Sequence, residues 1–466
     1  VGPLAAVSSR PASDPGALAG LAACVEEARR AALAPGDGLP VPTSHAALRA
    51  RLEAARAVLP PLYQRTVADP LLASLEELGP RGLARLLAED PEREGAAGLL
   101  LDLAGAVLQR GEGHQARATA AFQEVVSDLY EGFLSAADRR GVKPPDHGVA
   151  APLVLWGSAE DGPYTWPAPD TAVFGAQAAV VSLPAPNASA GLLAWPALAH
   201  ETAGHDVLSA DDGLHDELAR TVRAGLRAEK VPAAVADYWA SRIDETASDV
   251  LGVLNMGPAA AVGLVGYFRA LNGAYGGKPA LRNVGPADDP HPADIVRAYL
   301  AAETVRLLSF QGAARWADRL VAEADRDLGQ IRLGGTAVSA AVARASAAAV
   351  ARAIVRTPMQ ALEGRALGEI QDWRDADEAV VAELRRTLAD GGAPAGGGAG
   401  KHLAGAYAAH AVAAGVYEAV SGRSKPSQVM GRMIDLLAQM HGRNPTWSAP
   451  APGAAAPVPP GDRRVA

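Results

Sequence analysis

Apolar positions recur at helical spacing along most of this chain. From about Ala17 to Gly141 the stretches "SHAALRARLEAARAVL" and "TAAFQEVVSDLYEGFLSAADRRG" each carry an apolar stripe on one face. Ser44 offers an N-cap to the first, and Gly141 is suited to close the second. The texture changes after "KPPDHG". Between Val149 and Pro184 come short β-like runs broken by Gly and Pro: "APLVLWG", "YTWPAP" and "AAVVSLP". Helical patterns return at Trp195. "VPAAVADYWASRIDETASDVLGVLNMGP" reads as one long helix, with Pro232 in its first turn and Gly257-Pro258 at its stop. Further helices are expected over roughly 292–330, 337–357, 374–389 and 402–442. The pattern predicts a mainly α fold with a small β-sheet, an α+β arrangement.

Four stretches follow: an N-terminal helical region over 1–145, a core with short strands over 146–335, a C-terminal helical region over 336–443, and a disordered Pro/Ala-rich tail over 444–466. Residues 1–20 read as a loose lead-in, and "GGAPAGGGAGK" at 391–401 as a flexible linker.

Composition narrows the function. The chain has 466 residues, 49% of them hydrophobic but only 5% aromatic, so the core rests on Ala, Leu and Val in closely packed helices. The formal net charge is −9 and there is no basic stripe, which argues against a nucleic-acid partner. Cys24 is the single cysteine, excluding an internal disulfide framework and a thiolate-rich zinc site. With no apolar run long enough for a bilayer and no signal peptide in view, a cytoplasmic protein is the expectation.

The chemistry concentrates in "WPALAHETAGHDVLSADDGLHDELA", residues 195–219. His200 and His205 bracket Glu201 with the spacing HExxxH. In a regular α-helix, residues four apart sit about 40° apart around the axis, and residues five apart about 140°. Two imidazoles five apart therefore diverge unless one extra residue is absorbed locally, as a π-bulge does. Gly204 beside His205 would tolerate that distortion. A catalytic zinc takes three protein ligands and leaves a position open. The third ligand is sought in "DETASDVLG", residues 244–252, where Glu245 and Asp249 share a helix face. Glu245 could bind the metal, and Asp249 could hold the far nitrogen of a ligand histidine. Gly252 on the same face would let another helix come close.

"DETASDVLG" resembles the second zinc motif of thermolysin-like metallopeptidases, Asn-Glu-x-x-Ser-Asp-x-x-Gly, with Asp244 standing where that family has Asn. His200, Glu201, Gly204 and His205 resemble the zinc helix of dipeptidyl peptidase III, His-Glu-x-x-Gly-His. Both belong to the gluzincin group of zinc peptidases, and the likeness covers about residues 175–260. It implies a zincin-like catalytic core, a Zn2+ ion held by His200, His205 and Glu245, support from Asp249, and Glu201 as general base toward a peptide substrate. Such enzymes also need an oxyanion or proton donor. Here the candidates are His291 in "DDPHPADIVRAYL", Tyr238 and Tyr299, none in a recognisable family motif. An edge strand precedes the zinc helix in these peptidases, and "AAVVSLP" stands where it would fall; an ordinary buried strand fits the same residues equally well.

Other readings stay open. HExxxH can arise by chance on a polar helix face. Asp206 and His215-Asp216 read as a solvated turn, and His291-Pro292 as a helix start. His205-Asp206 in "GHDV" also matches the His-Asp pair of HD-type metal-dependent phosphohydrolases. A non-catalytic helical scaffold with a degenerate metal site is the third possibility.

Overall fold

The computed structural model describes residues 18–36, 38–134, 141–148, 150–390 and 405–448. The Gly-rich stretch at 391–401 lies outside the described residues, as do the lead-in up to 17 and the tail from 449. Sixteen helices of eight residues or more are described, one-turn helices aside. They are α1 Leu21–Ala32, α2 His45–Arg56, α3 Asp69–Glu89, α4 Ala96–Gly111, α5 Ala116–Leu134, α6 Ala199–Asp206, α7 Leu214–Ala228 and α8 Ala233–Ala240. Then follow α9 Ile243–Met256, α10 Pro258–Tyr275, α11 Asp294–Leu307, α12 Ala313–Ala324, α13 Ala340–Arg356, α14 Asp375–Asp390, α15 Ala408–Val420 and α16 Pro426–His441. The fold is mainly α with two small mixed sheets among the described residues.

The first sheet has the order β1-β3-β2, from β1 Leu153–Gly157, β2 Tyr164–Trp166 and β3 Val180–Pro184. Side chains alternate across a strand. Leu153, Leu155 and Val180 enter one hydrophobic core with Leu48, Leu71 and Leu103; Val154, Trp156, Val181 and Leu183 enter a larger core with Trp195, Trp239 and Met433. The sheet is thus a partition buried on both sides, which is why "LVLW" reads as a continuous apolar run and "VVSL" is interrupted only by the buried Ser182. The larger core runs from Leu18 to Met440 and crosses both boundaries drawn at 145 and 335.

Three sequence expectations change here. "AAVVSLP" supplies the central strand, parallel to β1 and antiparallel to β2, so it is not an edge. The edge beside α6 is β2. Its alternation turns Tyr164 and Trp166 to Asp102 Oδ2 on α4, to which they donate at 2.9 and 2.8 Å, and leaves Thr165 facing α6.

The long helix expected within Val231–Pro258 is two helices. The chain breaks at Ser241–Arg242, where Arg242 leaves the helical region (φ −117°, ψ 32°). Its guanidinium donates to the carbonyls of Pro286 and Ala287 at 2.7 and 2.9 Å and lies over the Tyr238 ring. The spans 292–330 and 402–442 each divide in two as well, the second before Pro426, a favoured first helical residue.

The second sheet, of order β4-β5-β6, is built from β4 Val284–Gly285, β5 Ile331–Leu333 and β6 Thr336–Val338. Gly334 and Gly335 both have positive φ, the demand of a tight two-residue hairpin turn. The first residues of the expected tail are also ordered: Trp447 stacks on Tyr63 at 4.5 Å.

Candidate metal centre

Helix α6 begins after Trp195-Pro196, with Trp195 fully buried and its indole N–H on the Asn187 carbonyl at 3.0 Å. From Ala199 to Asp206 the helix is widened to π geometry, and the Val207 N–H reaches the Thr202 carbonyl five residues back. This is the local distortion that the HExxxH spacing requires. Packing supports it, since α9 lies against α6. A Cβ on Gly204 would sit 2.4 Å from Ser248 Cβ, so only glycine lets the two backbones approach here. Gly252 meets the His200 backbone N, where a Cβ would make an ordinary 3.4 Å contact.

The widened turn faces the two imidazoles toward each other. Their Nε2 atoms are 3.0 Å apart, with the rings edge to face. Glu245 comes from the first turn of α9: Oε2 is 3.4 Å from His200 Nε2, and Oε1 is 3.5 Å from His205 Nε2. Glu201 is buried, and its carboxylate lies with the two imidazoles in a group whose candidate ligand atoms all fall within 4.8 Å of one another. The Thr165 hydroxyl sits 2.9 Å from Glu201 Oε2.

The far side of each imidazole is also held. His200 Nδ1 lies 3.0 Å from Asp249 Oδ1, though not in hydrogen-bond geometry. His205 Nδ1 lies 3.0 Å from Asp244 Oδ1. A neutral imidazole held by a carboxylate at Nδ1 would present its Nε2 lone pair, and here both Nε2 atoms and the Glu245 carboxylate face one spot. Such a set could hold a cation. Glu245 Oε2 is buried and receives no hydrogen bond from a described residue, although Arg297 approaches it at 3.2 Å.

The carboxylates favour the charged form of both imidazoles. Burial pushes His200 down, but Asp249 and Glu245 outweigh it and raise it to about 9. His205 is likewise held well above its ordinary value, against burial, by Asp244 and Glu245. Burial pushes Glu245 up, but Arg297 and the two imidazoles hold it well below the usual carboxylate range. Two nitrogens and one carboxylate oxygen match the donor set of a catalytic zinc site.

His291 stands in the loop before α11. Its Nε2 is 3.3 Å from Glu245 Oε1 and its Nδ1 3.1 Å from Asp289 Oδ1, so it belongs to the site rather than only starting a helix. Tyr238 does not face the cleft. The helix break at Ser241–Arg242 takes it out of phase with Glu245, and its hydroxyl accepts the Ala293 N–H at 2.9 Å, bracing the loop that carries His291. Tyr299 is remote, donating to Asp325 Oδ1 at 2.8 Å.

Of the expected solvated turn, Asp216 is exposed but two members are not free. Asp206 is buried against the Ala168 N–H, and burial lifts its carboxyl to about 7. His215 Nε2 is 3.0 Å from Asp244 Oδ1.

The sequence reading passed over Asp244, Thr165, Arg297 and Tyr267. Asp244 had a signal, the position where the resembled motif has Asn. Arg297 donates twice to Asp249, at 2.7 and 2.8 Å, and balances the buried carboxylates. The centre opens into a cleft of about 630 Å3. Leu193, Pro196, Leu264 and Phe268 give its lining an apolar part, and Tyr267, Glu201 and Asp161 line it too.

No protein-family model matches the chain, and neither the curated proteins nor the solved structures contain a match to it. Among the described residues, no helix is long and apolar enough to cross a membrane.

Proposed function

We propose that the chain is a zinc-dependent hydrolase of gluzincin type that cleaves peptide amide bonds. The observation that carries this reading is the convergence of His200 Nε2, His205 Nε2 and the Glu245 carboxylate on one point, within 3.0–3.5 Å of one another. These three residues hold the metal. When bound, zinc supplies Lewis acidity, polarising a carbonyl and acidifying water toward a pKa of about 7. Glu201 is the general base: it is adjacent to the ligands without being needed as one, and Thr165 orients its carboxylate. Asp249 and Asp244 hold the ligand imidazoles, and His291 is the candidate donor for charge developing on substrate oxygen. The cleft suits a peptide side chain along its apolar wall. A cytoplasmic setting fits the single, buried Cys24.

The HD-type phosphohydrolase reading has less support. It needs His205 and Asp206 on one metal, whereas Asp206 is turned to the Ala168 N–H, away from His205 Nε2. A scaffold with a degenerate site is separated from an enzyme by one substitution. Metal analysis of the purified chain is expected to give one equivalent of zinc, and a broad peptide library is expected to be cut. Glu201→Gln is expected to keep the zinc and lose cleavage by about 100-fold or more. A chain that binds no zinc, or a Glu201→Gln variant as active as the parent, rules the proposal out.

A further inference from the structure

Asp244 occupies the one position where the second motif departs from its pattern, and its surroundings explain what the change requires. A neutral amide can hold a ligand imidazole without adding charge. An aspartate adds a fourth carboxylate to a centre that already contains Glu201, Glu245 and Asp249. It also sits in the first turn of α9 with its side chain 54% exposed, free to be drawn into water unless something holds it. That something is His215. Its Nε2 lies 3.0 Å from Asp244 Oδ1, the same oxygen that lies 3.0 Å from His205 Nδ1. The chain therefore runs from His215 on α7, through Asp244 on α9, to His205 on α6, linking three helices.

We propose that His215 is a positioning residue for the metal ligand His205, acting through Asp244. The inference rests on the metal-centre reading above. A carboxylate oxygen gripped by two imidazole N–H groups is confined to one rotamer, and a confined carboxylate holds His205 in the tautomer and ring orientation that present Nε2 to the ion. Ser248 Oγ, 3.5 Å from His205 Nδ1, is too distant to take over that role. Hydrogen-bond partners of this kind change metal affinity by about 10–100-fold when removed.

The experiment is a double-mutant cycle on zinc affinity, measured on the full chain by competition with a chromophoric chelator. His215→Ala is expected to weaken zinc binding about tenfold with the melting temperature nearly unchanged, because His215 is partly exposed. In the Asp244→Ala background, where the link is already cut, His215→Ala is expected to change affinity by less than about twofold. His215→Gln, which keeps an N–H donor at similar reach, is expected to recover most of the loss. In the cobalt-loaded chain, His215→Ala is expected to shift the visible absorption bands and His215→Gln to restore them. Equal zinc affinity in His215→Ala and the parent overturns the inference, as does an equal loss with and without Asp244. A parent chain that binds no zinc overturns the metal-centre reading itself, and this inference with it.

Discussion

Two stretches of this molecule adopt the same unusual backbone, for different reasons. Residues Gln64–Ala68, ahead of α3, and Ala199–Asp206 in α6 are both widened into π turns. In the first, the cause is local. Pro70 has no N–H to offer the Thr66 carbonyl four residues back, and that carbonyl instead accepts the Gln177 N–H at 2.8 Å. The Asp69 N–H reaches back five residues to Gln64. The turn joins apolar surfaces, and Thr66, Val67 and Ala68 are buried there without an ionisable group among them. In the second, no proline lies within the widened turn. The distortion is held by α9 packed on Gly204, and its effect is to bring His200 and His205 onto one side. A π turn is therefore not a functional mark by itself; what matters is which side chains it aligns.

Buried carboxylates show the same contrast. On α9, Glu245 and Asp249 are pushed down by cations, with Arg297 and the imidazoles outweighing burial. On α5, Asp128 is pushed up to about 7 by burial, with Glu124 adding to the effect and the Ala408 N–H working against it. The two acids on α9 are surrounded by positive charge, whereas Asp128, like Asp206 on α6, is left to be neutralised by a proton.

The largest expected effect lies at the ligands. His205→Ala is expected to abolish stoichiometric zinc binding while the far-ultraviolet circular dichroism stays helical, because the imidazole contributes to the ion more than to the core. Zinc retained at one equivalent in this variant would end the idea that the widened turn exists to align the pair.

Next comes Gly204→Ala. The new methyl meets Ser248, and overpacking of this kind costs about 1–3 kcal/mol, so a clear fall in the denaturation midpoint is expected along with weaker zinc binding. Ser248→Gly in the same chain should recover part of both, and the absence of any recovery would place the cause elsewhere.

Asp128 gives a smaller and pH-dependent effect. Its folded value lies above the ordinary 3.8, so its favourable contribution is complete below about pH 4 and is lost as pH rises through about 7. Asp128→Asn keeps an acceptor for the Ala408 N–H but cannot ionise. Relative to the parent, the variant is expected to gain on the order of 1–2 kcal/mol between pH 5 and pH 8 in urea titrations. A difference between the two that stays flat with pH would contradict the assignment.

The smallest effect is expected at Pro70→Ala. The Thr66 carbonyl already has a partner in Gln177, so stability should change by less than about 1 kcal/mol and zinc affinity not at all. A large loss of zinc affinity here would mean that the two π turns are coupled after all.

How much was legible follows from what each signal measures. Helical periodicity reports burial, and it located most helices, but it could not see the break at Ser241–Arg242. That break depends on carbonyls at Pro286 and Ala287, more than forty residues away, and the apolar pattern runs straight through it. The same distance hid the role of Tyr238. The strand "AAVVSLP" was recognisable as a strand, but a run buried on both faces says nothing about which neighbours it pairs with, so its central place was not readable. The Gly334-Gly335 hairpin was readable and was passed over between two helical patterns.

For the centre, the chain alone determined the donor types, the five-residue interval that obliges a helix to widen, and the Glu-x-x-x-Asp pair sharing one face, because those depend on spacing within a single element. Only the folded chain decided that α6 and α9 meet at Gly204 and Ser248. It alone brought His291, Arg297, Thr165 and His215 to the same few ångströms. Those side chains come from four other segments, and their meeting depends on how helices pack, which no local pattern encodes.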